Sequence, residues 1–174
     1  MLRNQADVPS IAQRLRLGAP VATGMAAPRS KLVDTYLKKT SPRFREIDDR
    51  LDRTIRALFP EAQRVFAYGL PGWRIPRRRW IDPKSVDGTI DPNWVNVFLA
   101  ERKAGITLHL WNPVDFNAMQ RRKADLSNAG FKVMVGCLQF NRKSGYPIDA
   151  VRRLLEDVKR SLEADAKKAG AKVA

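Results

Sequence analysis

Cysteine and histidine are nearly absent, with one of each, Cys137 and His109, in 174 residues. A single thiol cannot close an intramolecular disulfide or build a cysteine-based zinc site. A hydrolase of the Ser-His-Asp kind would have to be built on His109. Acid is scarce beside base: 18 Asp and Glu against 33 Lys and Arg give a formal net charge of +15 and a pI near 10.6. Such an excess selects anionic partners. Long apolar runs are missing too, and nothing approaches the roughly 20 residues a helix needs to cross a bilayer. The longest uncharged stretch near the N-terminus, Leu17 to Pro28, is broken by glycine and proline. There is no glycine-rich phosphate loop, no nucleophile elbow and no Cys/His pair. These absences together describe a non-enzymatic, cytoplasmic protein with no membrane segment and no built-in cofactor.

What is present is enough for one packed domain, since 44% of the residues are hydrophobic and the length suits a single core. Residues 1–30 read as a flexible basic arm, with Arg3, Arg14, Arg16 and Arg29 opposed only by Asp7. An organelle targeting segment has the same composition. The excess of base therefore belongs mainly to the domain, expected over 31–165, with a frayed tail at 166–174.

A short helix is expected over Lys31 to Leu37. A strong one starts at Ser41-Pro42, where a hydroxyl caps the first turn and proline suits the first helical position. Its stripe of Phe44, Ile47, Leu51, Ile55 and Leu58 recurs at steps of three and four, the period of one buried helix face. From Arg64 the period shifts toward two. Strands are expected at Val65–Tyr68, at Val95–Leu99 and Ile106–Trp111 joined as a hairpin, and over Phe131–Phe140. A short helix opened by Asn112-Pro113, carrying Phe116, Met119 and Leu126, separates the last two. A closing helix carries Ile148, Val151, Leu154, Leu155, Val158 and Leu162. On its outer face Arg152 and Glu156, Arg153 and Asp157, and Glu163 and Lys167 stand four apart, the spacing of helical ion pairs. This order is α+β: an antiparallel sheet with one face covered by helices.

The segment Leu58-Phe59-Pro60-Glu61-Ala62 through Tyr68-Gly69-Leu70-Pro71-Gly72-Trp73 resembles a block of the YdhG-like domain family, a domain of unknown function. The strand Gly105 to Leu110 with His109, and Gly136 to Phe140 followed by Pro147 to Leu155, resemble later parts of the same family. The resemblance spans about residues 31–165 and implies a frataxin-like helix-sheet-helix layout. It also implies a relationship to an intracellular iron chaperone. Two departures remove acid or add base: Gln63-Arg64 stands where the family often has an acidic pair, and Arg77 to Pro92 is inserted before the next strand.

Three sets of residues are candidates for function. Arg77, Arg78, Arg79, Trp80 and Lys84 in the insertion, with Arg121, Arg122 and Lys123 and the turn residues Arg142 and Lys143, would form a phosphate-tracking surface if the fold brings them together. Trp80 would then be a stacking platform for nucleic acid. Tyr68, Trp73, His109 and Trp111, with Trp94 nearby, would line an aromatic pocket for a small ligand, or simply belong to the core. Asp48 and Asp52, one turn apart in the acidic cluster with Glu46 and Asp49, are the carboxylates for iron in the metal-carrier alternative. Arginines interleave with them and would otherwise pair with them.

Overall fold

The computed structural model describes residues 31–77, 80–82, 84, 91–111, 113–143 and 145–170. The expected basic arm, the last four residues, Arg78, Arg79, Asn112 and the side chain of Phe116 lie outside them. The chain runs α1 (Lys31–Leu37), α2 (Pro42–Leu58), β1 (Gln63–Ala67), β2 (Leu70–Pro76), β3 (Trp94–Arg102) and β4 (Gly105–Trp111). It continues through α3 (Pro113–Arg121), α4 (Lys123–Asn128), β5 (Lys132–Met134), β6 (Cys137–Phe140) and α5 (Ile148–Lys168). The strands form one antiparallel sheet in the order β1-β2-β3-β4-β6-β5. The fold is α+β. Among the described residues no helix is long and apolar enough to cross a membrane.

The helices cover one face of the sheet. Ser41 caps α2 as its sequence suggests, its hydroxyl accepting from the Phe44 amide at 3.1 Å with proline behind it in the first turn. Glu101 fixes this cap to β3 by accepting from the Ser41 amide and hydroxyl. The stripe of α2 and the apolar face of α5 pack on Val97, Leu99, Leu108, Leu110 and Leu138, all buried. Each such side chain removed from water contributes about 1.5–3 kcal/mol, so the two long helices and the sheet form the stabilising layer. A second aromatic group closes the far end, where Phe131, Phe140 and Tyr146 meet at 5.3 to 5.6 Å between ring centres. The Tyr146 hydroxyl is buried there without a hydrogen-bond partner among the described residues, and burial pushes its ionisation well above the ordinary range. A buried hydroxyl with no acceptor costs about 1–3 kcal/mol. Tyr146→Phe is therefore expected to raise the unfolding free energy by about 1 kcal/mol, read as a higher urea midpoint at unchanged slope.

The structure departs from the sequence pattern in five places. A full strand, β2, runs through Leu70-Pro71-Gly72-Trp73, where the pattern shows only a turn. The expected strand Phe131–Phe140 is a hairpin, β5 and β6, folded at Gly136 with φ +69°. The short helix is two, α3 and α4, meeting at Arg122. None of the three ion pairs expected along α5 forms; Asp157 instead takes Arg122 at 2.6 Å and Arg160. The last helix also continues to Lys168 with Ala166 buried, past the end expected at 165.

Candidate functional site

Alternation along the strands sends every second side chain to the face the helices leave open. Register aligns these residues in rows. One row is Val65, Gly72, Phe98, His109, Cys137 and Met134, and the next is Gln63, Arg74, Asn96 and Trp111. Phe98 is buried although it lies on the open side, because Tyr68 and Trp111 cover it. Tyr68 meets Phe98 edge-on at 5.7 Å and Trp111 at 4.9 Å, while Trp111 stands 5.0 Å from Phe98 and 5.7 Å from His109. The result is an aromatic platform with Tyr68 57% exposed at its crest.

Two backbone features build the platform. Tyr68 and Gly69 form the two-residue turn between the paired residues Ala67 and Leu70, with φ +55° and +73°. Positive φ at both central positions is the primed hairpin turn, which favours asparagine or glycine. A tyrosine there carries roughly 1–2 kcal/mol of left-handed strain, and it holds its ring over Phe98. Gly72 is the second feature, because a Cβ there would stand 2.2 Å from the Phe98 ring and 2.5 Å from the Val97 carbonyl oxygen. Glycine is thus the slot into which the ring lies. Gly72→Ala is expected to cost about 1–3 kcal/mol, measured as a lower melting temperature with a loosened aromatic cluster.

The electrostatics of this face are one-sided. Glu101 is the one acidic residue within the six strands, and it sits on the helix side bound to Ser41. Arg74, Arg102 and Lys132 lie on the open face. The Arg74 Nε is buried with no hydrogen-bond partner, and so is the His109 Nε2. Burial, then the Arg102 charge, lowers His109 from its ordinary value and so favours the neutral ring. His109 also stands directly across from Cys137, a juxtaposition that their separation in sequence conceals. No hydrogen bond joins them, and burial pushes the Cys137 thiol up. Both shifts oppose a thiolate-imidazolium nucleophile.

Of the four aromatic candidates, Tyr68, His109 and Trp111 come together and Trp73 does not. Trp73 points to the helix side, fully buried, donating its indole N–H to Asp52 at 2.6 Å under the Arg64 guanidinium 3.9 Å from its ring. Phe98, Gly72 and Arg74 belong to the open face without having stood out in sequence; strand alternation read together with β2 would have found them.

The carboxylates expected to hold iron are engaged. Asp48 is fully buried and takes the Arg64 guanidinium through both oxygens at 2.5 and 2.7 Å. Burial alone would raise the Asp52 carboxyl, but hydrogen bonds from Trp73 and Arg56, with the charges of Arg56 and Arg64, outweigh it and hold it low. Among the described residues no three His, Cys, Asp or Glu side chains gather as metal ligands. These residues do not fit an iron site.

The basic candidates partly converge, against one ridge of α5. Arg122 pairs with Asp157 at 2.6 Å, Arg121 donates to the Ser161 hydroxyl at 3.0 Å, and Arg77 lies 3.8 Å from Asp165. The three α5 positions are one turn apart, so these arginines clamp surface segments to the helix, and aspartates balance Arg122 and Arg77. Arg122 also reaches Asp125 at 3.1 Å. Trp80 is 75% exposed, and Lys84 and Lys123 are exposed.

Among solved structures the chain is similar to the crystal structure of a DUF1801-family protein, YdhG from Bacillus subtilis. The TM-score is 0.51 at 12% identity, over 78% of this chain and 91% of that one. The fold is that of a YdhG-like domain. The resemblance carried by the Tyr68-to-Trp73 block is thereby met at the level of architecture. In this YdhG-like fold the block makes the turn and the slot that frame the sheet's open face, and the indole buried beneath its other face. No family model and no curated protein matches the sequence.

Proposed function

We propose that this domain is non-enzymatic and binds a single strand of nucleic acid on the open face of its sheet. One observation carries the reading: Tyr68, His109 and Trp111 pack over the buried Phe98 on a sheet face whose strands carry no acid and do carry Arg74, Arg102 and Lys132. Bases stack on aromatic rings with little regard to sequence, while cations track the phosphates. The +15 charge adds long-range attraction for a polyanion. Trp80 and Lys84 in the inserted segment remain secondary contacts of this reading, together with Arg78 and Arg79, which lie outside the described residues. A cytoplasmic setting goes with it.

Titration of a short labelled single-stranded RNA at two salt concentrations tests it. Each neutralised phosphate contributes about −0.7 to the log-log salt slope, so three give about −2, an affinity loss of about 20-fold between about 50 and about 200 mM salt. Salt-independent binding, or none, contradicts it. A flat neutral ligand that quenches tryptophan fluorescence in place of RNA would favour the small-ligand pocket at Tyr68, His109 and Trp111.

A further inference from the structure

On the opposite, helical layer, α2 and α5 border an open groove of about 500 Å³ lined by Arg50, Arg53, Thr54, Ala57, Ile148, Asp149 and Arg152. We propose that this groove is a binding site for a small phosphate-bearing molecule, with its phosphate on Arg53 and Arg152.

Three guanidinium groups are placed around one concavity by the helical period. Arg50, Arg53, Thr54 and Ala57 share one side of α2, while Ile148 and Arg152 lie one turn apart on α5. Their counter-charges are inadequate. Arg50 reaches only the exposed Glu46, at 4.0 Å. Among the described residues Arg53 and Arg152 have neither an ion pair nor a hydrogen bond, and Asp149 pairs with none of the three. Arg152 is open to the groove because its expected partner four residues on, Glu156, does not pair with it. Three like charges lining one groove repel one another in the empty state, and a bound dianion offsets that repulsion.

A second feature of the site acts in the same direction. The groove lies at the N-terminus of α5, a 21-residue helix whose cap position is Pro147, with no side chain capping the amides. The positive end of the helix dipole lies beside the three arginines, with Asp149 in the same first turn and the Ile148 and Ala150 amides donating to the Tyr146 and Pro147 carbonyls. Size indicates what the ligand is: about 500 Å³ is in the range of small-molecule sites and far exceeds one phosphate ion. Ala57 and Ile148 offer apolar contact to the remainder of the ligand. A sugar phosphate or a nucleoside monophosphate has this combination of a dianionic end and a compact body.

This inference is independent of the sheet-face reading, since the two surfaces lie on opposite sides of the sheet. Calorimetric titration of the full chain with inorganic phosphate, a sugar phosphate, a nucleoside monophosphate and sulfate, at about 150 mM salt, tests it. At least one phosphate ester is expected to bind more tightly than inorganic phosphate or sulfate. Arg53→Ala with Arg152→Ala is expected to weaken that binding at least about tenfold. The double variant should keep its melting temperature and its RNA affinity, because neither side chain has a partner to lose. No ester binding, equal weak binding of every anion, or ester binding indifferent to the double variant overturns the proposal. An RNA affinity that falls in parallel with ester binding would also overturn it, by assigning the groove to the nucleic-acid surface.

Discussion

Tyr68→Asn is expected to weaken the protein's hold on single-stranded RNA at little cost in stability. The two effects have separate causes. The turn places residue 68 at φ +55° beside Gly69 at φ +73°, and Asn-Gly is the sequence that such a turn favours most. Relief of the left-handed tyrosine contributes up to about 1 kcal/mol, and loss of the Tyr68 ring contacts with Phe98 and Trp111, about 0.5–1.5 kcal/mol each, offsets it. Loss of the exposed ring removes one stacking surface, a term of about 1–3 kcal/mol and so about 5- to 150-fold in affinity. Tyr68→Phe keeps the ring and should keep the affinity. A large loss of affinity beside a small change in melting temperature identifies the ring as a binding element, because a scaffold role would move both together. Trp111→Ala should weaken binding comparably, but it also uncovers Phe98 and lowers stability. A Tyr68→Asn variant that binds RNA as well as the parent would remove the platform from the account.

The second large effect concerns the buried pair beneath β1. Asp48 has no exposure and the Arg64 side chain is 1% exposed, with the guanidinium bound to both carboxylate oxygens and stacked on Trp73. Arg64→Met takes from the buried Asp48 carboxylate the guanidinium that both its oxygens accept from. Removing one partner of a buried ion pair costs about 3–5 kcal/mol, which corresponds to a fall of roughly 6 to 20 °C in melting temperature. Replacing both partners, Asp48→Leu with Arg64→Met, should recover most of that loss, since an apolar pair of similar volume is often neutral. Thermal melts of the two variants decide the point. A double variant no more stable than Arg64→Met would mean that the pair is not the source of the loss. The same pair explains why a carboxylate so placed is structural: its oxygens are already committed to arginine.

Much of the fold is legible in the sequence where one local signal dominates. The α2 stripe from Phe44 to Ile55, the Ser41-Pro42 start and the β3–β4 hairpin all follow from period and capping. β2 is not legible, because Pro71 and Gly72 weigh against a strand in any local reading. Pro71 sits where β2 pairs β1 and precedes the first β2–β3 pair, and Gly72 is required by the Phe98 ring. Missing β2 also misplaces Trp73, since the side of the sheet it faces depends on register. The split at Gly136 is hidden for a similar reason, one glycine in an otherwise continuous apolar run.

The site was legible as residue types and not as an arrangement. Tyr68, His109 and Trp111 stand out as aromatics, but their common face depends on pairing between strands distant in the chain. The arginine clusters show the reverse. Arg77 and Arg122 are conspicuous as charge, yet Asp165 and Asp157, far along the sequence, balance them. Net charge survives that pairing, whereas its location does not follow from the count.

The central claim is that the open sheet face is the binding surface, and chemical-shift mapping with a short single-stranded RNA tests it most directly. The account predicts shifts in the Trp111 indole, the Tyr68 and Phe98 rings and the His109 imidazole, with smaller ones at Arg74, Arg102 and Lys132. The buried Trp73 indole, hydrogen-bonded to Asp52 on the far side of the sheet, should stay still. Shifts confined to the inserted segment around Trp80 and Lys84, or to the α5 ridge, would contradict it.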